Sequence, residues 1–67
     1  MDPENVFIYH PPKGDQQIRY EKIRNQAKQF SYLLKLKCPD SEERDIAIRK
    51  LRECVMWANA SIAINEV

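Results

Sequence analysis

Between positions 19 and 37 lie six cations, Arg19, Lys22, Arg24, Lys28, Lys35 and Lys37, with Glu21 as the single acid among them. Guanidinium and ammonium groups at that density suit phosphate, arginine through paired hydrogen bonds and lysine as a point charge. Arg24 and Lys28 are four residues apart and therefore share a helical face, and Lys35 continues the line two turns later. Ahead of them stand Tyr9 and His10, whose rings offer flat faces to a nucleobase and polar tips to its edge. The pair Pro11-Pro12 follows, and its fixed φ angles hold the preceding residues in a defined direction. Rings and cations together fit a ligand in which bases are joined by phosphates. Two plainer readings stand beside this one: the cations form a solvated face, and Tyr9 packs against Phe7.

Chemistry beyond binding finds no residues here. His10 is the only histidine, and it sits between Tyr9 and the proline pair. Cys38 and Cys54 form no CxxC pair and have no histidine close by, so neither a zinc site nor an activated thiol is expected. Gly14 is the only glycine, which leaves no glycine-rich phosphate loop. The acids gather at positions 40 to 45, where helix capping accounts for them. We therefore expect no enzyme, no cofactor and no metal. With 11 basic and 10 acidic residues the net charge is +1, which argues against duplex nucleic acid as the partner, although non-specific binding along the cationic helix is a rival reading. No apolar run approaches the roughly 20 residues a membrane span needs. The lack of a signal segment points to a reducing compartment with free, packed thiols; a Cys38–Cys54 disulfide is the alternative.

The elements that must position these residues are helices. Asp2 and Pro3 suit a helix start, and residues 3–8 form one or two turns or an extended arm. Residues 10–15 make a stiff connector with Asp15 as the N-cap. Tyr20, Ile23, Ala27, Phe30 and Leu34 recur at helical spacing over residues 16–36, widened near the ends by Ile18, Tyr32, Leu33 and Leu36. Cys38-Pro39 stops that helix. Asp40 or Ser41 caps the next one, with Glu43 placed as in a capping box after Asp40. Ile48, Leu51, Val55, Ala58 and Ile62 carry the stripe over residues 41–65. Two helices joined by so short a link make an antiparallel hairpin. The expected fold is thus all-α: a single domain over residues 1–67, with an arm over about residues 1–15.

The second helix then departs from amphipathicity. Between Cys54 and Ile64 only Asn59 and Ser61 are polar. A helix apolar nearly all round must be covered nearly all round, and one hairpin with an arm cannot do that. A chain of 67 residues also falls below the size at which a single core is self-sufficient. Association with further copies is therefore expected, with Met56, Trp57, Ala60 and Ile64 at the interface.

Three segments resemble the phage anti-CBASS cyclic-nucleotide sponge family. They are Tyr9-His10 followed by prolines and Lys13; Arg19-Tyr20 with Ile23-Arg24 and Ala27-Lys28; and Val55-Met56-Trp57-Ala58-Asn59-Ala60 with Ile62-Ala63 and Asn65-Glu66. The last is the most specific. Cys38-Pro39 and Glu43-Arg44 fit as well, so the likeness runs from Phe7 onward. It implies a small helical homohexamer in the cytoplasm of an infected bacterial host. Such a protein sequesters cyclic dinucleotides such as cyclic GMP–AMP without cleaving them and so keeps a defence effector from its signal. The family's stacking tyrosine matches Tyr9, and its basic residue on the first long helix matches Arg24, with Lys28 one turn later. Some members also take cyclic trinucleotides; at the arginine expected before Asn-Glu for that ligand, this chain carries Ile64. The rival function is a structural, oligomerising helical module that binds a protein partner.

Overall fold

The structure is a computed structural model, and residues 11–66 of it are described. Two helices account for nearly all of them: α1, Gln16–Lys37, and α2, Glu42–Asn65. They pack side by side as a hairpin, with no strand among the described residues. The arm expected over residues 3–8 lies outside the described residues, as do Tyr9 and His10.

α1 starts from a turn. Gly14 takes a positive φ of 55°, a left-handed conformation that costs glycine least, and the Gln16 N–H donates to the Lys13 carbonyl at 3.0 Å. Asp15 stands at the N-cap, but its side chain makes no capping bond; it turns to the Arg19 Nε at 3.2 Å instead. Gln16 supplies the local closure, its Oε1 accepting from the Lys13 N–H at 2.9 Å. α1 ends as the Cys38 N–H donates to the Leu34 carbonyl at 2.9 Å; Pro39, with no N–H, follows it.

The cap of α2 corrects one expectation. Ser41, not Asp40, closes the helix: its Oγ accepts from the Arg44 N–H at 3.1 Å. Residue N3 is then Arg44 rather than a glutamate, so no capping box forms. Asp40 instead holds the Arg44 Nη2 at 3.0 Å. The Arg44 Nη1 donates to the Lys35 and Cys38 carbonyls at 3.3 and 3.4 Å. A cation thereby sits on the end of α1, where the last carbonyls lack partners and the helix dipole is negative. Glu42, Glu43 and Asp45 complement the positive start of α2.

The seam between the helices consists of half-buried residues at spacings of three and four. Tyr20, Ile23, Ala27, Ser31 and Leu34 of α1 face Ile48, Leu51, Val55, Ala58 and Ile62 of α2. Phe30 does not belong to it, being 49% exposed; Ser31 takes that position. Ile18, Tyr32, Leu33 and Leu36 are exposed as well and do not widen the seam. Among the described residues no apolar side chain is buried, and Gln16 alone is, at 5% exposure. Two helices form one layer, and a stable domain needs at least two packed layers around a core.

Cys38 and Cys54 are free thiols. Cys38 lies at the turn, and Cys54 sits roughly 18 Å along α2 from its start at 1.5 Å per residue, beyond the reach of a disulfide. Cys38 is half-buried, whereas Cys54 is exposed rather than packed. No helix of the described residues is long and apolar enough to cross a membrane.

Candidate ligand-binding face

The positions of the cations relative to the seam decide what they can do together. Arg24 directly follows Ile23, Lys28 follows Ala27, and Lys35 follows Leu34. A step of one residue turns about 100° around a helix of 3.6 residues per turn, so these three side chains flank the seam on one side. On α2, Arg52 directly follows Leu51 and Arg49 follows Ile48. In an antiparallel pair the residue after a seam position lies on the same face of both helices. Arg24, Lys28 and Lys35 therefore meet Arg52 across one groove of about 410 Å³, floored by Ala27, Ile48, Leu51 and Val55, with Ser31 in its wall. The small side chain of Ala27 lets the groove sink between the helices. None of the four cations takes part in an ion pair among the described residues.

Arg24 also lines a second, adjoining depression of about 410 Å³ towards the open end of the hairpin, with Gln17, Tyr20, Asn59, Ala60 and Ala63. Its walls carry hydrogen-bonding groups and no charge besides Arg24. The Asn59 Oδ1 is closed off from solvent and has no hydrogen-bond partner. Towards the turn the groove continues into a stretch lined by Asp40, Glu42 and Asp45 together with Lys35, Arg49 and Arg52. The opposite face is different in kind. Its groove of about 530 Å³ is lined by Ile23, Phe30, Leu51, Cys54 and Val55 with a single cation, Lys22.

At the open end a cluster ties the start of α1 to the end of α2. The Arg19 guanidinium grips the Glu66 carboxylate with both terminal nitrogens, Nη1 to Oε2 at 2.9 Å, and the Gln16 Nε2 donates to Glu66 Oε1 at 3.2 Å. The hydrogen bond from Arg19, then that from Gln16, hold the Glu66 carboxyl down at about 2, and Arg19 is raised in turn, first by its bond to Glu66. Both side chains remain partly in water.

Of the expected ligand residues, the structure brings Arg24 and Lys28 together in one groove and places Tyr9 outside the described residues. Of the expected interface residues, Met56 and Trp57 are 69% and 59% exposed. Met56 follows Val55 and Trp57 precedes Ala58, so they stand on opposite shoulders of α2. Ala60 lines the depression beside Arg24, and Ile64 is half-buried. Sequence reasoning missed Arg52. The signal was present, since Arg52 and Arg24 both directly follow a seam residue, but only the antiparallel crossing turns that coincidence into proximity.

A family model, Acb2/Tad1, hairpin domain, matches residues 1–63. The chain belongs to that family. The Acb2/Tad1 hairpins are the anti-CBASS cyclic-nucleotide sponges, and the two helices described above are the hairpin of that description. The match includes Tyr9, the connector, α1 and all but the last two residues of α2, so the cationic groove lies wholly within it. No curated protein and no solved structure matches the chain.

Proposed function

We propose that this Acb2/Tad1 hairpin binds cyclic dinucleotides such as cyclic GMP–AMP, holds them without cleavage, and so withholds them from a CBASS effector in the cytoplasm of the infected host. Family membership supports the reading, and one observation carries it to particular residues: Arg24 and Lys28 share a groove whose cations have no acidic partner. Tyr9 stacks on a base, while Arg24 and Lys28 hold phosphate or base edges. The ligand emerges intact, because binding by charge and stacking needs no nucleophile. Sequestration works by mass action, which favours a short chain that repeats its site by symmetry. We propose that Met56, Trp57, Ala60 and Ile64 lie between copies in a homohexamer. The exposure of Met56 and Trp57, with no apolar side chain buried among the described residues, supports that assignment.

Isothermal titration calorimetry against a panel of cyclic di- and trinucleotides, with recovery of the ligand afterwards, tests the reading. The expected result is tight binding of at least one dinucleotide, recovered uncleaved. Tyr9→Ala and Arg24→Ala should each abolish that binding and leave the assembly intact; normal binding by both would refute the site. The trinucleotides in the panel test whether a chain with Ile64 in place of an arginine takes that second ligand. The exposed apolar side chains would equally serve a helical module that binds a protein partner, and absence of binding to every cyclic nucleotide would favour that function.

A further inference from the structure

We propose that the groove between the helices is a phosphate-binding groove for a phosphodiester-bearing ligand, in which Lys35 of α1 and Arg52 of α2 are binding residues alongside Arg24 and Lys28. The proposal rests on the sequestration reading for the identity of its ligand, and on the geometry of the face for the rest. Four cations from two helices line one groove, and no aspartate or glutamate lines it with them. None of the four is in an ion pair among the described residues, and the mutual repulsion of like charges is relieved when an anion enters.

Solvation of a generic surface does not account for this pattern, because the same two helices carry one cation, Lys22, on their other groove. Arg19 and Lys50, which precede Tyr20 and Leu51 and so stand on that other side, are paired with Asp15, Glu66 and Glu53. The floor of Ala27, Ile48, Leu51 and Val55 is apolar, and a low-dielectric wall strengthens the attraction of the rim charges for an anion. A volume of about 410 Å³ lies within the range of small-molecule sites.

Charge also varies along the groove in a way that fixes where an anion rests. At the turn, Asp40, Glu42 and Asp45 join the lining and repel phosphate. At the open end, Gln17, Tyr20 and Asn59 offer polar but uncharged groups beside Arg24, an environment that suits a base rather than a phosphate. The phosphate is therefore held in the middle, between Arg24 and Lys28 on one helix and Arg52 on the other, with Lys35 closing the turn side. A ligand so placed bridges α1 and α2 between the clasp at Glu66 and the Arg44 contacts at the turn.

The test uses five forms of the protein: wild type, Arg52→Ala, Arg52→Lys, Lys35→Ala and Lys22→Ala. Each is titrated with cyclic GMP–AMP by calorimetry and, separately, with inorganic pyrophosphate followed by phosphorus NMR. Circular dichroism confirms equal helix content. Loss of a charge-assisted bond to phosphate should weaken the dinucleotide roughly tenfold or more in Arg52→Ala and in Lys35→Ala. Arg52→Lys should recover most of the affinity, and Lys22→Ala, which removes the same net charge from the opposite face, should change it less than about twofold. Arg52→Ala and Lys35→Ala behaving like Lys22→Ala would overturn the groove assignment while leaving sequestration through Tyr9 and Arg24 in place. Pyrophosphate binding that Arg52→Ala removes, without binding of any cyclic nucleotide, would keep the anion groove and refute sequestration. Binding of neither pyrophosphate nor any member of the cyclic-nucleotide panel would refute both.

Discussion

Arg44 and Arg19 show how much one guanidinium can organise where no apolar side chain among the described residues is fully buried. Arg44 donates to Lys35 and Cys38 carbonyls at the end of α1 while holding Asp40, and its side chain is 19% exposed. Arg44→Ala should lower stability by about 1–2 kcal/mol, because it leaves two helix-end carbonyls without their donor; thermal unfolding at fixed protein concentration measures it. Arg44→Lys should recover little of the loss, since a point charge cannot reach three acceptors in a fork. The Glu66 cluster makes a pH prediction. The folded carboxyl titrates at about 2 against an ordinary value of 4.5, so its contribution is present in full above 4.5 and is lost as pH falls from there towards 2. Denaturant midpoints taken at pH 7, 4 and 3 should fall for the wild type, and the fall should be shallower in Glu66→Gln. A parallel fall in both proteins would show that the clasp adds nothing in solution.

The helices themselves follow from local signals, although not always from the residues first expected to give them. Two candidate caps preceded α2, and spacing could not choose between Asp40 and Ser41. The choice fell to Ser41 because its extended backbone, φ −165° and ψ 164°, aims the hydroxyl at the Arg44 N–H. Ser41→Ala should therefore cost about 1 kcal/mol, whereas Glu43→Ala should cost no more than about 0.5 kcal/mol, the scale of a surface substitution. Urea unfolding of the two variants checks the order. Phe30 illustrates a limit of periodicity. It sits within one residue of the seam on a helical wheel, as Ser31 does, and only the rotation of α1 against α2 decides which of them turns inward. Ala27, Leu51 and Val55 line the grooves on both sides of the seam, so they lie where the two helices meet.

Among the described residues every apolar side chain is at least partly exposed, and on the reading proposed above further copies of the chain cover them. The hairpin's two faces differ: one groove is lined by Arg24, Lys28, Lys35 and Arg52, and the other by Ile23, Phe30, Cys54 and the single cation Lys22. With Met56 and Trp57 both more than half exposed, the melting temperature should rise with protein concentration, as for any fold completed by association. Trp57→Asp should reduce the molar mass seen by light scattering and shift the tryptophan-free protein's unfolding to lower temperature. Unchanged mass in Trp57→Asp and Met56→Asp alike would mean that neither residue lies between copies. Ligand binding should stabilise the assembly further, by about 2.7 kcal/mol at a free ligand concentration one hundred times Kd.

The sequence by itself determined the two helices, their short link and the family. Those depend on information local in the chain: apolar spacing of three and four, a proline after Cys38, acids at the start of α2, and the run from Val55 to Ala60. It also showed that the second helix carries more apolar surface than one partner helix can cover. What only the tertiary structure decided is which side chains become neighbours. Arg52 is 28 positions from Arg24 in the chain, and nothing local relates them; they share a groove because antiparallel packing superposes the residue after each seam position on one face. For the same reason Glu66 meets Arg19, and Arg44 meets the end of α1. These contacts depend on the register of one helix against the other, a quantity set by how side chains interlock along the whole seam.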